Sequence, residues 1–556
     1  MPEHNSQTDF QNISESHRRQ FLQMVGAAGG AGMSVLAGCT DSQDSGTAGG
    51  NGSGNNESDN SMPSSTDEMG GTLIAGTQAD IVKLDPHATT AYSSLQVLEN
   101  IYQKPTALTP DLEPEGQLAK DWTISDEGTT WTFDLHEGVM FHQPVSREMT
   151  AGDIVYSIQR ILDEDTGSPR RSNFQPIKNM SVKDDYTLVF EFDKPYAPFP
   201  YKLTTAYVMP KGAGDASDYD ITQQPVGTGP FQFAENVSQS RTVIEAFDNY
   251  WEKDESGNQL PYLDAVRYKP VPEGSSRITN LRTGELDWID TMPRSQASSV
   301  ENDNNVHFSS NPGTFYDYLG KNMEEKPLDD KKLRQAISYG VNRQAISQGA
   351  RFGYGTATYD PCPPASAWKD LINMDPSYAQ NKEKAKSLIE ESSYSGENIE
   401  IMVGQQYKGQ VNEAEIVQEQ LSGIGINVNV SPTEWGTMVA RLNSGDYQMS
   451  LVGWIGFVDP DSMFYNVFHT DEKFNQVNYS NKEVDQLLEK GRTITGSREK
   501  RAEPYDKALD IIGEDAPYTF LNFNGELMAW KKYVNGFTHY PTGTIRFKTT
   551  WKAQAN

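Results

Sequence analysis

The sequence predicts an α/β protein of two lobes, one of them carrying an inserted β-rich subdomain near residues 106–205. Three observations predict it. The stretch from Thr72 onward, about 485 residues, is rich in aromatics and too long for one hydrophobic core. Runs that alternate at period two are interleaved with runs at helical spacing, the pattern of mixed α/β lobes. Two of the clearest alternating runs, Thr130–Leu135 and Tyr186–Phe192, fall inside the 106–205 stretch.

Residues 1–38 read as an address instead of part of a fold. Arg18-Arg19-Gln20-Phe21-Leu22 heads a bland run that closes on Leu36-Ala37-Gly38-Cys39, the layout of a cleavable export signal. Between Phe21 and Gly38 seven residues are Phe, Leu, Met or Val and nine are Gly or Ala. A membrane span needs roughly 20 strongly apolar residues, so this run is a poor anchor. The segment resembles a twin-arginine export signal, with His17 where Ser or Thr usually stands and Arg18 and Arg19 as the pair. Leu36–Cys39 resembles a lipobox, which implies that Cys39 becomes the lipidated first residue of the mature chain. The plainer alternatives are an ordinary secretory signal or a short helix.

Residues 39–71 are expected to be a disordered linker. From Thr40 to Gly71 there is no aromatic and no branched aliphatic residue, so too little apolar surface is available to offset the entropy of ordering. A coil of that length spans roughly 30 Å, a leash that suits a body held near a membrane.

The formal charge is −30, and residues 1–38 account for only −1 of it. Such an acidic chain excludes nucleic acid as a partner, because each phosphate contact needs Lys or Arg. A cationic ligand drawn by the field is one reading. The other is solvation in concentrated salt, where the Debye length falls to about 3 Å at 1 M. The excess is spread along the whole mature chain, which favours the halophilic reading, and a twin-arginine lipoprotein of this charge resembles a haloarchaeal surface protein. Of the two cysteines, Cys39 belongs to the lipobox. Cys362 lies in Asp360-Pro361-Cys362-Pro363-Pro364, a structural thiol in a turn, with no disulfide framework or zinc pattern.

Strands are expected at Thr72–Ala75, Thr130–Leu135, Tyr186–Phe192, Thr242–Phe247 and Asn427–Val430. Thr150-Ala151-Gly152-Asp153 opens a helix as a capping box with Asp in the Glu position, followed by Ile154, Ile158 and Ile161 at helical spacing. Further helices are expected near 329–349, 379–392, 409–423 and 482–493.

An ordered set of motifs then becomes specific. It runs through Leu84-Asp85-Pro86-His87, Val97–Tyr102, Leu118–Phe133, His136–His142 and Thr150–Ser157. It continues with Gly227-Thr228-Gly229-Pro230-Phe231, Leu333–Arg343 and Gly453-Trp454-Ile455-Gly456-Phe457-Val458-Asp459-Pro460-Asp461. In order and spacing this set resembles the solute-binding proteins of the dipeptide, oligopeptide and nickel family of ABC transporters, over nearly all of 72–556. The resemblance implies a class II periplasmic-binding-protein-like fold with two crossing strands. Lobe I would be about 72–312 plus the return 516–556, and lobe II about 313–515. It also implies an ABC permease and ATPase subunits as partners, a peptide or small-molecule solute as ligand, and no cofactor.

Each motif also has a local reading. Gly227–Phe231 supplies backbone freedom for a turn before a packed strand. Arg334 and Arg343 read as ion-paired surface or inter-lobe residues on an amphipathic helix. Gly453 and Gly456 let a loop present Trp454 and Phe457, and an exposed aromatic can stack on a peptide side chain or a sugar ring. In the family's peptide binders an Asp of this loop pairs with the peptide's amino group. Phe457 stands at that place, which leaves room for other solutes, and Asp459 matches the later Asp-Pro that shapes the turn. Tyr92, Tyr316, Tyr318 and Trp435 are further candidates for the binding wall, each with a core or rim role as its alternative, and Asp459 is a candidate whose alternative is the turn.

An enzyme is not expected. The eight histidines are scattered, with no metal-ligand spacing, nucleophile elbow or Walker loop. Asp459 and Asp461 imitate a glycosidase pair, but Asp-Pro-Asp is more simply a turn. The expectation is a monomeric binder of peptides or a related solute, lipid-anchored on the extracellular face of the membrane and closing its lobes on the ligand. The alternatives are an oligosaccharide or nickel-complex binder of the same family, and a surface hydrolase, sensor or adhesin.

Overall fold

The computed structural model describes residues 69–213, 220–375, 377–454, 458–470 and 472–553. Arg18, Arg19, Cys39 and Phe457 lie outside these residues, as does the linker up to residue 68. Among the described residues one long sheet runs, edge to edge, through Val428–Thr433, Ile399–Gly404, Met449–Trp454, Val306–Lys321, Tyr518–Lys531, Trp288–Ile289, Thr72–Thr77, Ala265–Pro270, Arg241–Ala246 and Phe231–Val237.

Two strands of this sheet, Val306–Lys321 and Tyr518–Lys531, are much longer than the rest and pair antiparallel. Their rungs from Val306↔Lys531 to Pro312↔Gly525 belong to one lobe, where Tyr518–Lys531 also pairs with Trp288–Ile289. The register then shifts between Pro312 and Tyr316. From Tyr316↔Phe523 to Gly320↔Tyr518 the ribbon belongs to the other lobe, where Val306–Lys321 also pairs with Met449–Trp454. A bulge bends a strand and interrupts its ladder, so the ribbon turns where it passes between lobes.

Alternation along Tyr518–Lys531 feeds two cores in lobe I. Met528 and Trp530 join Trp288, Val97 and Ile101 on one face, whereas Leu527 and Ala529 join Ile278, Leu281 and Val300 on the other. Lobe II has a larger core built on Ile401, Leu451, Val417 and Phe464. The inserted subdomain is a four-stranded antiparallel sheet, Ala119–Ile124, Thr130–Leu135, Thr187–Phe192 and Ile177–Asp184, next to the hairpin Thr106–Leu108/Pro114–Gly116. Its own core is aromatic: Phe133 meets Phe190 edge-on at 5.7 Å and Phe190 meets Phe199 at 4.7 Å.

Helix Ala151–Leu162 is closed by the capping box, with Thr150 N donating to Asp153 Oδ2 at 2.9 Å, and Ile154, Ile158 and Ile161 are fully buried. The stretch expected as one helix near 329–349 is two, Lys331–Gly340 and Arg343–Arg351. Val341 is extended and Asn342 caps the second helix by accepting from Ala345 N. The sequence reading of Arg334 and Arg343 as ion-paired surface or inter-lobe residues is corrected on exposure and pairing. Both are buried and donate to carbonyls, Arg334 to Asp515 and Leu328, Arg343 to Phe520 and Tyr378. Arg343 ties the start of its helix to the second crossing strand, and Arg334 ties its helix to the end of helix Arg498–Asp515.

The Gly227-Thr228-Gly229 turn sits against the end of helix Tyr92–Ile101. A Cβ on Gly227 would collide with Ile101 O, and Gly229 N donates to that carbonyl at 2.8 Å. His142 fastens the turn, its Nε2–H donating to Gly229 O at 2.9 Å while Nδ1 accepts from Gly227 N at 3.2 Å. Cys362 is fully buried, and burial pushes its thiol well above the ordinary cysteine range, so it is protonated and inert.

Candidate functional site

Both lobes carry parallel strands, and the register aims their carboxyl ends at the same place. In lobe II, Ile399–Gly404 is parallel to Val428–Thr433 and to Met449–Trp454, and Trp454 pairs with Tyr316 beside the bulge. In lobe I, Thr72–Thr77 is parallel to Ala265–Pro270 and to Trp288–Ile289, and Ile289 pairs with Ala529 as its strand heads for Gly525. Ligands of open α/β sheets bind in the crevice outside the carboxyl ends of the strands. Here two such ends face the crossing ribbon from opposite sides.

The sequence-predicted residues distribute unevenly around this crevice. Tyr92 opens the helix that follows Thr72–Thr77; it is 41% exposed, and its hydroxyl donates to Gly543 O at 3.2 Å. Trp435 follows Val428–Thr433 and is 37% exposed, with Tyr407, which follows Ile399–Gly404, edge-on to it at 5.4 Å. Gly404 has no side chain to obstruct this aromatic pair. Trp454 is half-buried at the end of its strand, stacked on Tyr318 at 6.3 Å and 5.2 Å from the exposed ring of Phe474. A Cβ at Gly453 would lie 2.6 Å from Phe315 and 2.9 Å from Asp317 Oδ1, so this glycine allows the close approach of the crossing strand.

Three candidates lie behind this wall. Tyr316 is fully buried among Phe520 and Phe523, and Tyr318 stacks on Tyr518 at 3.9 Å. Asp459 is buried in a bidentate ion pair with Arg501 at 2.6 and 2.8 Å. It also accepts from Asp461 N at 2.9 Å, which makes the Asp-Pro-Asp turn. Asp461 in turn is buried against Arg492 Nε at 2.8 Å and Lys202 Nζ at 3.6 Å. Both carboxylates are matched by cations, which is not the arrangement of an acid and a nucleophile.

Sequence reading missed a charged network under the crevice. Asp317, just past the bulge, accepts from Arg351, from Gln410 Nε2 at 2.7 Å and from Asn524 Nδ2 at 2.8 Å. Glu413 accepts from Arg351 Nε at 2.8 Å and Asn522 Nδ2 at 3.0 Å. Burial and the charge of Asp317 push Glu413 up to about 8, against the pull of Arg351. The two carboxylates share one guanidinium, which fastens both crossing strands to helices Arg343–Arg351 and Lys408–Ser422. These partners are 34 to 207 residues apart in sequence, and no local pattern announces them.

A second seam joins the inserted subdomain to lobe II. Leu112 and Tyr201 enter the lobe II core, and Trp368 Nε1 donates to the Tyr201 hydroxyl at 3.1 Å. Lys202 Nζ donates to Ser462 Oγ at 3.0 Å, Arg498 pairs with Glu113 at 3.0 Å, and Ala197 N donates to Arg492 O at 2.8 Å. A surface hollow of about 400 Å³ beside Lys83, Leu84, Thr222, Phe233 and Asn236 is a separate feature, and none of the candidate wall residues lines it.

Comparison with known proteins agrees with this architecture. The family described as bacterial extracellular solute-binding proteins, family 5 middle, matches residues 113–475, more than half of the chain. The oligopeptide-binding protein AppA of Bacillus subtilis is 27% identical over 501 residues, covering 85% of this chain and 90% of its own. The dipeptide-binding protein of Escherichia coli is 28% identical over 463 residues, covering 78% of this chain and 85% of its own. Among solved structures, the periplasmic binding protein DppA of Helicobacter pylori in complex with the peptide STSA superposes with a TM-score of 0.72. It is 26% identical, and the match covers 88% of this chain and 99% of that one.

Proposed function

This chain belongs to the extracellular solute-binding proteins of family 5, a family of binding proteins and not of enzymes, and we propose that it captures a peptide or related small solute for an ABC importer. The observation that carries the reading is the crevice at the crossing ribbon. Carboxyl ends of parallel strands from both lobes meet there, and Tyr92, Trp435, Tyr407 and Trp454 stand at them. Aromatic faces at that place suit the side chains of an extended peptide.

In this reading lobe I is about 72–312 with 516–556, lobe II is about 313–515, and the lobes close on the solute about the bulged ribbon. The ligand shifts an open and closed equilibrium by binding the closed form more tightly. The closed monomer then docks on a membrane permease driven by partner ATPase subunits. Cys39 holds it by a lipid on the extracellular face, Arg18 and Arg19 direct its folded export, and residues 39–71 are the tether. The acidic surface keeps it soluble in concentrated salt.

The exposed Tyr407–Trp435 pair, with Phe457 where peptide binders of the family carry an Asp, supports a second reading in which the solute is an oligosaccharide. A thermal-shift screen in high salt separates the two. Di- and oligopeptides should raise the melting temperature by several degrees and oligosaccharides should not. A rise with oligosaccharides alone overturns the peptide reading.

A further inference from the structure

One wall of the crevice collects hydrogen-bond acceptors that the donors beside them, Gln96 and Arg294, leave partly unmet. In Tyr518–Lys531, Met528 and Trp530 face the core under helix Tyr92–Ile101, so alternation puts Glu526 on the same side. In the neighbouring strand Trp288 faces that core and Ile289 the opposite one, which returns Asp290 to the side of Glu526. The rung Ile289↔Ala529 makes the two carboxylates near neighbours on one face.

Their hydrogen bonding is incomplete. Gln96 Nε2 donates to Asp290 Oδ2, and this leaves Asp290 Oδ1 and Gln96 Oε1 buried with no partner. Asp290 is 1% and Gln96 2% exposed. Glu526 is half-buried, and among the described residues its carboxylate makes no hydrogen bond or ion pair. Arg294, whose charge Glu526 feels, donates to Gly525 O at 2.8 Å and not to the carboxylate. A Cβ on Gly313 would lie 3.4 Å from Glu526 Oε1, which sets that carboxylate over the bulge of the ribbon. The open ring of Tyr92 stands beside the group, and the charges of Asp290 and Glu526 both reach its hydroxyl.

The amide oxygen of Gln96, one oxygen of Asp290 and the Glu526 carboxylate, next to an accessible aromatic ring, match one ligand chemistry. We propose that Glu526, backed by Asp290 and Gln96 and faced by Tyr92, is a subsite for a cationic nitrogen of the captured solute. A protonated amine or a guanidinium brings several N–H donors and a positive charge, and each meets an acceptor here. Such a cation also relieves the desolvation that holds the Glu526 and Asp290 carboxyls above their ordinary range. The inference rests on the crevice being the solute site.

The test uses calorimetric titration of the full mature chain with Ala-Ala-Ala, Ala-Lys-Ala, Ala-norleucine-Ala and the N-acetylated form of each, for wild type and Glu526→Gln. Circular dichroism melts establish that the variant is folded. Acetylation or the Lys-to-norleucine exchange should weaken wild-type binding at least tenfold, the first assigning the subsite to the peptide's amino terminus and the second to its side chain. Glu526→Gln should weaken the cationic peptide at least tenfold and leave its neutral counterpart within twofold. Binding in which neither exchange matters, or in which Glu526→Gln weakens both peptides alike, overturns the subsite while the peptide reading stands. Absence of wild-type binding to every peptide contradicts the peptide reading and the subsite with it.

Discussion

Trp454 pairs with Tyr316 in the first rung after the bulge of the crossing ribbon, so a half-buried aromatic of the crevice is anchored to a fully buried one of the core. Removing the outer ring should therefore touch ligand binding first. Trp454→Ala is expected to weaken solute affinity by more than about 1 kcal/mol, the range of an aromatic contact beyond simple area burial. Calorimetric titration with a peptide found by thermal shift measures it. Unchanged affinity with a lowered melting temperature would make Trp454 a core residue.

Arg351 is the single guanidinium paired with two carboxyl groups that are both fully buried. Arg351→Met leaves Asp317 and Glu413 facing each other without a counter-charge. Breaking one partner of a buried pair costs about 3–5 kcal/mol. Urea unfolding should show a loss of that order, and the double change Arg351→Met with Glu413→Gln should recover part of it. A loss below about 1 kcal/mol for the single variant would mean that water reaches the network.

The seam between the inserted subdomain and lobe II should govern release of the solute. Lys202→Met removes the contact to Asp461 and Ser462 and leaves Asp461 with Arg492. Truncating one side of a buried charge pair acts mainly on dissociation, so stopped-flow release should be about two- to tenfold faster with little change in association. An unchanged dissociation rate would show that the seam stays closed during exchange.

Stability should fall in mild acid. Burial holds His87, His142 and His539 down at about 4, against 6.5 for an exposed histidine. Between those limits the unfolded chain binds protons that the folded one refuses. Their contribution is therefore complete above about pH 6.5 and is lost as pH falls toward 4. Glu413 works the other way over part of this window, because its raised carboxyl holds a proton in the folded state. The slope these four groups contribute together should be that of about two histidines, roughly 3 kcal/mol per pH unit. Melting temperatures from pH 7 to 4 check the sign, and a curve that is flat from 6.5 to 5 would contradict it.

What the sequence disclosed was local. The capping box at Thr150 and Asp153, the period-two runs and the Gly227–Phe231 turn are each written within a few residues, so their signals are readable in a single chain. Trp435 could be flagged because it follows a strand-like run, and Trp454 because Gly453 and Gly456 flank it in the sequence. The role of Asp459 is different, since its partner Arg501 is 42 residues away and only the folded chain brings them together. The same holds for Asp317, Arg351 and Glu413. Arg334 and Arg343 look like surface cations on a polar helix, yet the free carbonyls of neighbouring segments draw them inward. Glu526 sits in a strand of mostly buried residues, and its missing partner becomes visible only when its neighbours are in place.

Closure about the bulged ribbon is the central claim, and small-angle scattering tests it most directly. With a peptide that raises the melting temperature, the radius of gyration of the mature chain should fall on saturation, and it should fall less for Lys202→Met. An unchanged radius at saturating peptide would contradict capture by closure.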